Sequence, residues 1–197
     1  VNTRYNIHFN ANEAYKEALK NKQRNTNDNL SEMLYVFPDN SDTTTNNFQS
    51  GSGNFTTTID KTTKAIKLHS IKTKPRRDPK RRNDAEYQAW LQQKEYTPFM
   101  DQVWLLLARA EFHDGNYLRA ITTFMYITKI YGSQPDMVAE SNLWIARAYT
   151  EMGWMYEAGN ILHKMELAGG PPQKHEGLYA SVKANYLART GEYKEAI

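Results

Sequence analysis

A six-residue pattern occurs three times in the C-terminal half of the chain, at a constant spacing. Each copy has glycine first, an aromatic residue or Met third and alanine last, and the glycines stand at 115, 153 and 191, 38 residues apart. Apolar residues recur at three- and four-residue intervals before each copy, and again after the first, which is typical of amphipathic helices. A repeat of this length indicates stacked units, each made of a helix, a tight turn and a second helix.

The pattern resembles the tetratricopeptide repeat. Small residues where the paired helices would cross, Ala108 with Ala120 and Ala146 with Ala158, allow two helix axes to approach closely. Three features depart from the usual repeat: alanine replaces the crossing glycine, Glu111 stands at the tyrosine position, and the period exceeds the usual 34 residues. The sequence predicts an all-α fold in which residues 98–190 form antiparallel helices without strands, wound as tetratricopeptide-type repeats into a right-handed superhelix.

Composition and periodicity divide the chain into five segments. Asn, Ser, Thr, Gly and Asp dominate residues 39–58, which predicts a flexible loop because such a composition buries too little apolar surface to offset the entropy lost on ordering. Helical spacing predicts packing helices at 9–22 and 58–70, and a short helix at 84–95. The predicted segments are a helical N-terminal part at 1–38, the loop at 39–58, a helix at 59–71, a basic linker at 72–83 and repeats at 84–197, with units at about 98–134, 136–170 and 174–197, the last truncated.

Several classes of functional site lack the residues they need. The chain has no cysteine, and its five histidines show no spacing typical of a metal site. Gly51-Ser52-Gly53 lies in polar sequence rather than after an apolar strand, and no Gly-x-Ser-x-Gly segment occurs. No apolar run is long enough to span a membrane. The sequence predicts a non-enzymatic protein without metal or cofactor, and an enzyme would require a catalytic domain elsewhere.

A basic stretch carries more positive charge than the whole chain. The formal net charge is +3 at pH 7, whereas residues 72–82 contain seven basic residues and one acid, so the remainder is net acidic. Pro75 and Pro79 exclude a continuous helix. The stretch is either an arm that docks on an acidic partner or anionic lipid, with nucleic acid disfavoured, or a solvated linker. Its basic residues are Lys72, Lys74, Arg76, Arg77, Lys80, Arg81 and Arg82.

The first helix of each repeat pair is expected to line a concave groove that binds segments of partner proteins. Arg109 and Arg147 fall at the same repeat position, where two guanidinium groups would hold carboxylates of a partner through forked hydrogen bonds. The alternative is that each arginine covers a helix surface or pairs with a neighbouring acid. The predicted groove residues are Gln102, Leu105, Arg109, Glu140, Leu143, Arg147, Ser181 and Asn185.

Four longer strings are more specific than the repeat. They are NTRYNIHFNANEAY at 2–15, KAIKLHSI at 64–71, YTPF at 96–99 and WIARAYTEMGW at 144–154. Together they resemble the SprE/PorW family of Bacteroidota, which are tetratricopeptide lipoproteins of the type IX secretion and gliding-motility machinery. The resemblance covers essentially the whole chain.

The resemblance implies a non-catalytic scaffold in the periplasm. It would sit at the inner leaflet of the outer membrane through a lipidated cysteine upstream of Val1. Its partners would be the outer-membrane translocon and the periplasmic ring components of the machine, which it would connect. Family members are several times longer, so this chain would correspond to their N-terminal part. The alternative is a generic helical-repeat lipoprotein of outer-membrane assembly, or a peptidoglycan-associated factor.

Overall fold

The computed structural model describes residues 2–25, 36–37 and 54–192, and within these ranges the regular elements are helices. Two 3-10 turns, Pro79–Arg81 and Gln173–His175, lie in connections. The predicted all-α class is confirmed. The α-helices are α1 Asn2–Asn25, α2 Thr56–His69, α3 Ala85–Gln92, α4 Met100–His113, α5 Tyr117–Ile130, α6 Pro135–Glu151, α7 Met155–Leu167 and α8 Glu176–Thr190. None of these described helices combines the length and apolar character needed to cross a bilayer.

The repeated glycines end three helices in the same way. Gly115, Gly153 and Gly191 have φ values of 85°, 75° and 85°, in the left-handed region that favours glycine. After α4, the N–H of Asn116 donates to the carbonyl of Glu111 at 3.0 Å, and the other two turns contain the equivalent bond. This bond from the residue after the glycine satisfies a carbonyl at the helix end and reverses the chain.

Small and large side chains alternate where the helices cross. The four predicted crossing residues, Ala108, Ala120, Ala146 and Ala158, are fully buried. Beside them lies a core cluster in which Phe124 stacks on Trp144, with ring centroids 5.9 Å apart and an interplanar angle of 8°. A methyl side chain at the crossing lets the helices approach until such large neighbours interlock.

The helices pack in a regular order that extends to the N terminus. Each of α4 to α7 packs on the next helix, α1 packs on α2, and α2 packs on α4. In addition, α1, α4, α6 and α8 contact one another in sequence, and we call these four helices the first-helix layer. Thus α1 and α2 form a further helix pair, whereas the sequence indicated only two packing helices. Residues 26–55 separate the two helices, far more than the few residues that join the helices of the later pairs. The repeat spacing therefore could not be recognised in this part of the sequence.

Several predicted boundaries were wrong at the N terminus. Helix α1 begins before residue 9, and α2 begins at Thr56 rather than 59. The last residues of the predicted flexible loop belong to the core, because Phe55 is fully buried and its ring lies 5.8 Å from Tyr15 and 5.6 Å from His113. Residues 39–53 of that loop, and the second helix of the truncated third unit, lie outside the described residues.

The buried carboxylate of Glu95 holds the start of the basic linker against the repeats through hydrogen bonds. Glu95 accepts hydrogen bonds from the backbone N–H groups of Ile71 and Thr97, at 2.9 and 3.0 Å, and from the Ser70 hydroxyl. The N–H of Tyr96 donates to the carbonyl of Ile71 at 2.9 Å. These bonds satisfy an ion that would be costly to bury alone, and they hold the start of the linker against the entry to α4.

A second buried carboxylate lies between α4 and α5. Glu111 accepts a hydrogen bond from Thr123 Oγ1 at 2.6 Å, and Arg119 Nε lies 2.7 Å from its Oε1. Burial raises the pKa of Glu111, while the hydrogen bond from Thr123 and the charge of Arg119 oppose that rise. The residue that departs from the tetratricopeptide pattern therefore links two helices through polar contacts.

Enlarging a crossing alanine should destabilise the fold. Ala120→Trp and Ala158→Trp force extra volume into fully buried positions, and each should lower the free energy of unfolding by ~1–3 kcal/mol or more. Ala180→Trp, on the exposed side of α8, is the control and should have little effect. Urea denaturation of the three variants measures this. Unchanged stability of both buried variants would mean that the helices do not cross at these residues.

The titration of Glu111 should lower stability as the pH rises. Its pKa is higher in the folded than in the unfolded chain, so its contribution to the free energy of unfolding is full below the ordinary glutamate pKa of about 4.5 and is lost as the pH rises through the folded value. The free energy of unfolding of the wild-type chain minus that of Glu111→Gln should therefore fall as the pH rises above about 4.5.

Glu166 provides a control with the opposite sign. Hydrogen bonds from Lys183 and Tyr179 lower its pKa, so its contribution is present above about pH 4.5 and lost as the pH falls. The free energy of unfolding of the wild-type chain minus that of Glu166→Gln should rise with pH. Urea denaturation at a series of pH values measures both differences. If the two differences change with pH in the same direction, the opposite pKa shifts given to Glu111 and Glu166 are contradicted.

Candidate functional site

Within the first-helix layer, α4, α6 and α8 each carry one arginine, and the three side chains have different environments. Arg109 of α4 forms an ion pair with Glu140 of α6. Its guanidinium carbon lies 5.8 Å from the centroid of Trp144. Burial lowers the pKa of Arg109, but arginine starts so high that the group stays charged at neutral pH. The pair joins α4 to α6 and neutralises both charges.

Arg147 lies among aromatic rings. Its guanidinium carbon is 3.6 Å from the ring centroid of Phe37, 4.7 Å from that of Phe112 and 5.0 Å from that of Trp144. The residue is 5% exposed. A planar cation stacks well on aromatic faces, and the attraction reaches ~2 kcal/mol when water is excluded. We call this group of Arg147, Phe112, Trp144 and the space filled by Phe37 the aromatic slot.

A third charged contact joins α6 to α8. Arg189 Nη2 lies 3.1 Å from Glu151 Oε2, and Asn185 Nδ2 donates to Glu151 Oε1 at 3.3 Å. The side chain of Glu151 is fully buried. Glu151 and Arg189 were not among the predicted site residues, although both lie at one repeat position, 38 residues apart. This shared repeat position was the signal from which the two residues could have been predicted.

The structure brings only some of the predicted groove residues to the surface. Gln102 is exposed and bonds to Asp101, and Ser181 is partly buried and donates to the carbonyl of Gly177 at 2.8 Å. Five of the eight predicted residues are instead buried, because α6 packs on α4, α5, α7 and α8, and α4 also packs on α2 and α5. These residues are Leu105, Glu140, Leu143, Arg147 and Asn185.

The two arginines in register do not form a matched carboxylate clamp. Arg109 follows the alternative interpretation, since it pairs with the neighbouring acid Glu140. Arg147 lies among the rings of Phe37, Phe112 and Trp144. The difference arises because Phe37 covers the second position, a contact that repeat spacing cannot indicate.

The basic stretch lies on the surface but is fastened at both ends. Arg81 donates to Asp84 at 2.6 and 2.9 Å and lies 4.4 Å from the centroid of Tyr87, whose hydroxyl accepts from the N–H of Asp78. Lys72 Nζ lies 5.7 Å from the centroid of Tyr126. All seven basic residues are exposed, the other five being Lys74, Arg76, Arg77, Lys80 and Arg82. The stretch is therefore a tethered basic surface.

An open cleft lies at the edge of the layer. Its volume is about 770 Å³, and its lining comes from the start of α6, the end of α7 and the connection that follows. Val138, Ile161 and Met165 give it an apolar character, and Lys164 adds one cation. Among the described residues, no group of three or more His, Asp or Glu side chains could hold a metal ion.

Arg109 and Glu140 should be energetically coupled. In a double-mutant cycle with Arg109→Gln and Glu140→Gln, the coupling in the free energy of unfolding should be ~1–2 kcal/mol, because the pair is largely shielded from solvent. The exposed pair Lys16–Glu13 is the matched control and should couple more weakly. Additive losses at Arg109 and Glu140 would show that the contact does not stabilise the α4–α6 packing.

No protein-family model matches the chain, and no curated protein matches it. The interpretation of the first-helix layer therefore depends on its own geometry. Of the arginines on α4, α6 and α8, Arg109 and Arg189 pair with acids of the layer, and Arg147 stacks on aromatic rings.

Proposed function

We propose that the chain is a non-catalytic scaffold that binds protein segments on tetratricopeptide-type repeats. The observation that carries this proposal is the order of helix contacts. Helices α1, α4, α6 and α8 form one layer, and α2, α5 and α7 pack between successive members of it. Such layering is typical of helical solenoids, whose extended surfaces bind partners.

The repeated turns support the same proposal. The bonds at Gly115, Gly153 and Gly191 are equivalent, so each unit reverses the chain in the same way. Stacking units related by a constant small rotation produces a superhelix. We infer that the first-helix layer faces its concave side.

We further propose that the scaffold works in type IX protein secretion and gliding motility. The support is the set of four strings that resemble the SprE/PorW family. On this proposal the protein sits in the periplasm at the inner leaflet of the outer membrane, held by a lipid anchor, and connects the outer-membrane translocon with periplasmic ring components. It uses no cofactor, metal or nucleic acid.

Affinity purification tests the proposal directly. The tagged full-length protein, expressed at its native level, is solubilised from the outer membrane, and co-purifying proteins are identified by mass spectrometry. We expect translocon and ring components of the secretion machine, enriched over an unrelated tagged outer-membrane lipoprotein. Recovery of outer-membrane assembly or peptidoglycan-binding proteins in their place would support the alternative class of lipoprotein and contradict the secretion role.

A variant of the basic stretch distinguishes binding by the first-helix layer from binding by the basic stretch. Replacing all seven basic residues between Lys72 and Arg82 by glutamine should leave capture of the secretion components intact, because the first-helix layer supplies the shaped surface. Capture by the wild-type protein should also depend weakly on salt, because a contact made by a shaped helical surface does not rely on charge attraction. Salt screens such attraction over ~8 Å at physiological ionic strength. Loss of capture in the variant would assign the contact to the basic stretch.

A further inference from the structure

Phe37 lies far along the chain from the residues it contacts. It follows α1 by a dozen positions, yet its ring stacks on Arg147 of α6. It also packs against the buried cluster that contains Leu143 and Val182, from α6 and α8. Val36, its neighbour, is 45% exposed, and the dipeptide belongs to neither a helix nor a strand. Phe37 thus contacts the first-helix layer through its ring.

The aromatic slot has the chemistry of a recognition subsite. The Arg147 guanidinium forms the floor of the slot and packs on the rings of Phe112 and Trp144. Leu143 and Val182 belong to the apolar cluster against which Phe37 packs. A flat π system that enters it gains apolar burial and a cation beneath its face, which an aliphatic side chain or a carboxylate cannot gain together.

The neighbouring charges do not favour an acidic ligand. Arg109 is engaged by Glu140, and Arg189 by Glu151. A partner carboxylate would compete with these acids, which are already positioned and shielded from solvent. The recognition feature that distinguishes this part of the layer is therefore the stacked ring.

We propose that the aromatic slot is a peptide-binding subsite for a Phe, Tyr or Trp side chain, and that Phe37 occupies it as an internal ligand which a partner segment displaces. This inference rests on the proposed scaffold function and specifies the chemistry of its partner. A ligand tethered to its own site acts at an effective concentration in the millimolar range. A free peptide binds tightly only when Phe37 has been removed or outcompeted.

The test uses the chain's own segment as the probe. A fluorescein-labelled peptide of residues 31–41, SEMLYVFPDNS, is titrated with the full chain and followed by fluorescence anisotropy. The Phe37→Ala chain should bind this peptide at least about tenfold more tightly than the wild-type chain, because the internal competitor is gone. A peptide that carries Phe37→Ala but keeps Tyr35 should bind that chain about tenfold more weakly.

Two further variants make the result decisive. Val36→Ala removes an exposed neighbour and should behave like the wild-type chain. Phe37→Leu retains an apolar side chain but loses the ring, so it should also bind the peptide more tightly than the wild-type chain does. If circular dichroism shows that Phe37→Ala does not fold, Phe37→Leu decides the question.

The proposal is overturned if neither Phe37 variant binds the peptide more tightly than the wild-type chain, or if both peptides bind equally well. Either outcome would make Phe37 a core residue without a ligand role. It would leave the scaffold proposal standing, because that proposal depends on the proteins recovered by affinity purification. Conversely, a purification without secretion components would leave the peptide measurement valid.

Discussion

The close approach of helices at buried alanines is the constraint on which the rest of the structure depends. Ala108, Ala120, Ala146 and Ala158 have no exposed surface, and larger side chains at these points would separate the helices. Close crossings allow the rings of Phe112, Phe124 and Trp144 to interlock between successive helices. The same ring of Trp144 then supports Arg147 in the aromatic slot. The packing that stabilises the helix pairs thus also builds the surface proposed to bind a partner.

Charge within the first-helix layer is used mainly for connection between helices. The Arg109–Glu140 pair joins α4 to α6, and Glu151 with Arg189 joins α6 to α8. Removing one member of a shielded pair leaves an uncompensated ion, which costs more than the pair contributes over apolar residues. The charges therefore fix how successive units are placed. On the proposed scaffold function, the stacked ring is the feature through which this part of the layer would select a partner, by the aromatic content and shape of the bound segment.

The sequence predicted the local features well and the long-range ones poorly. Gly115 and Gly153 were placed in tight turns because glycine has access to left-handed backbone angles, and the structure confirms both. The burial of Leu105 and Leu143 was missed because a helix that contacts neighbours on several sides has little free surface, and repeat counting assumes one free face. Phe55 was assigned to a loop from the polar composition around it, although one aromatic side chain in contact with Tyr15 and His113 suffices to place it in the core.

The sequence by itself determined the helical class, the turn positions and the alanine crossings, because each depends on residues within about one helix pair. Only the tertiary structure decided that α1 and α2 form a further pair, that Glu95 fastens the linker, and that Phe37 lies on Arg147. Those contacts join residues that are far apart along the chain or have no periodic counterpart. Hydrophobic periodicity reports which face of a helix is apolar, whereas the identity of the group that covers that face depends on the path of the whole chain.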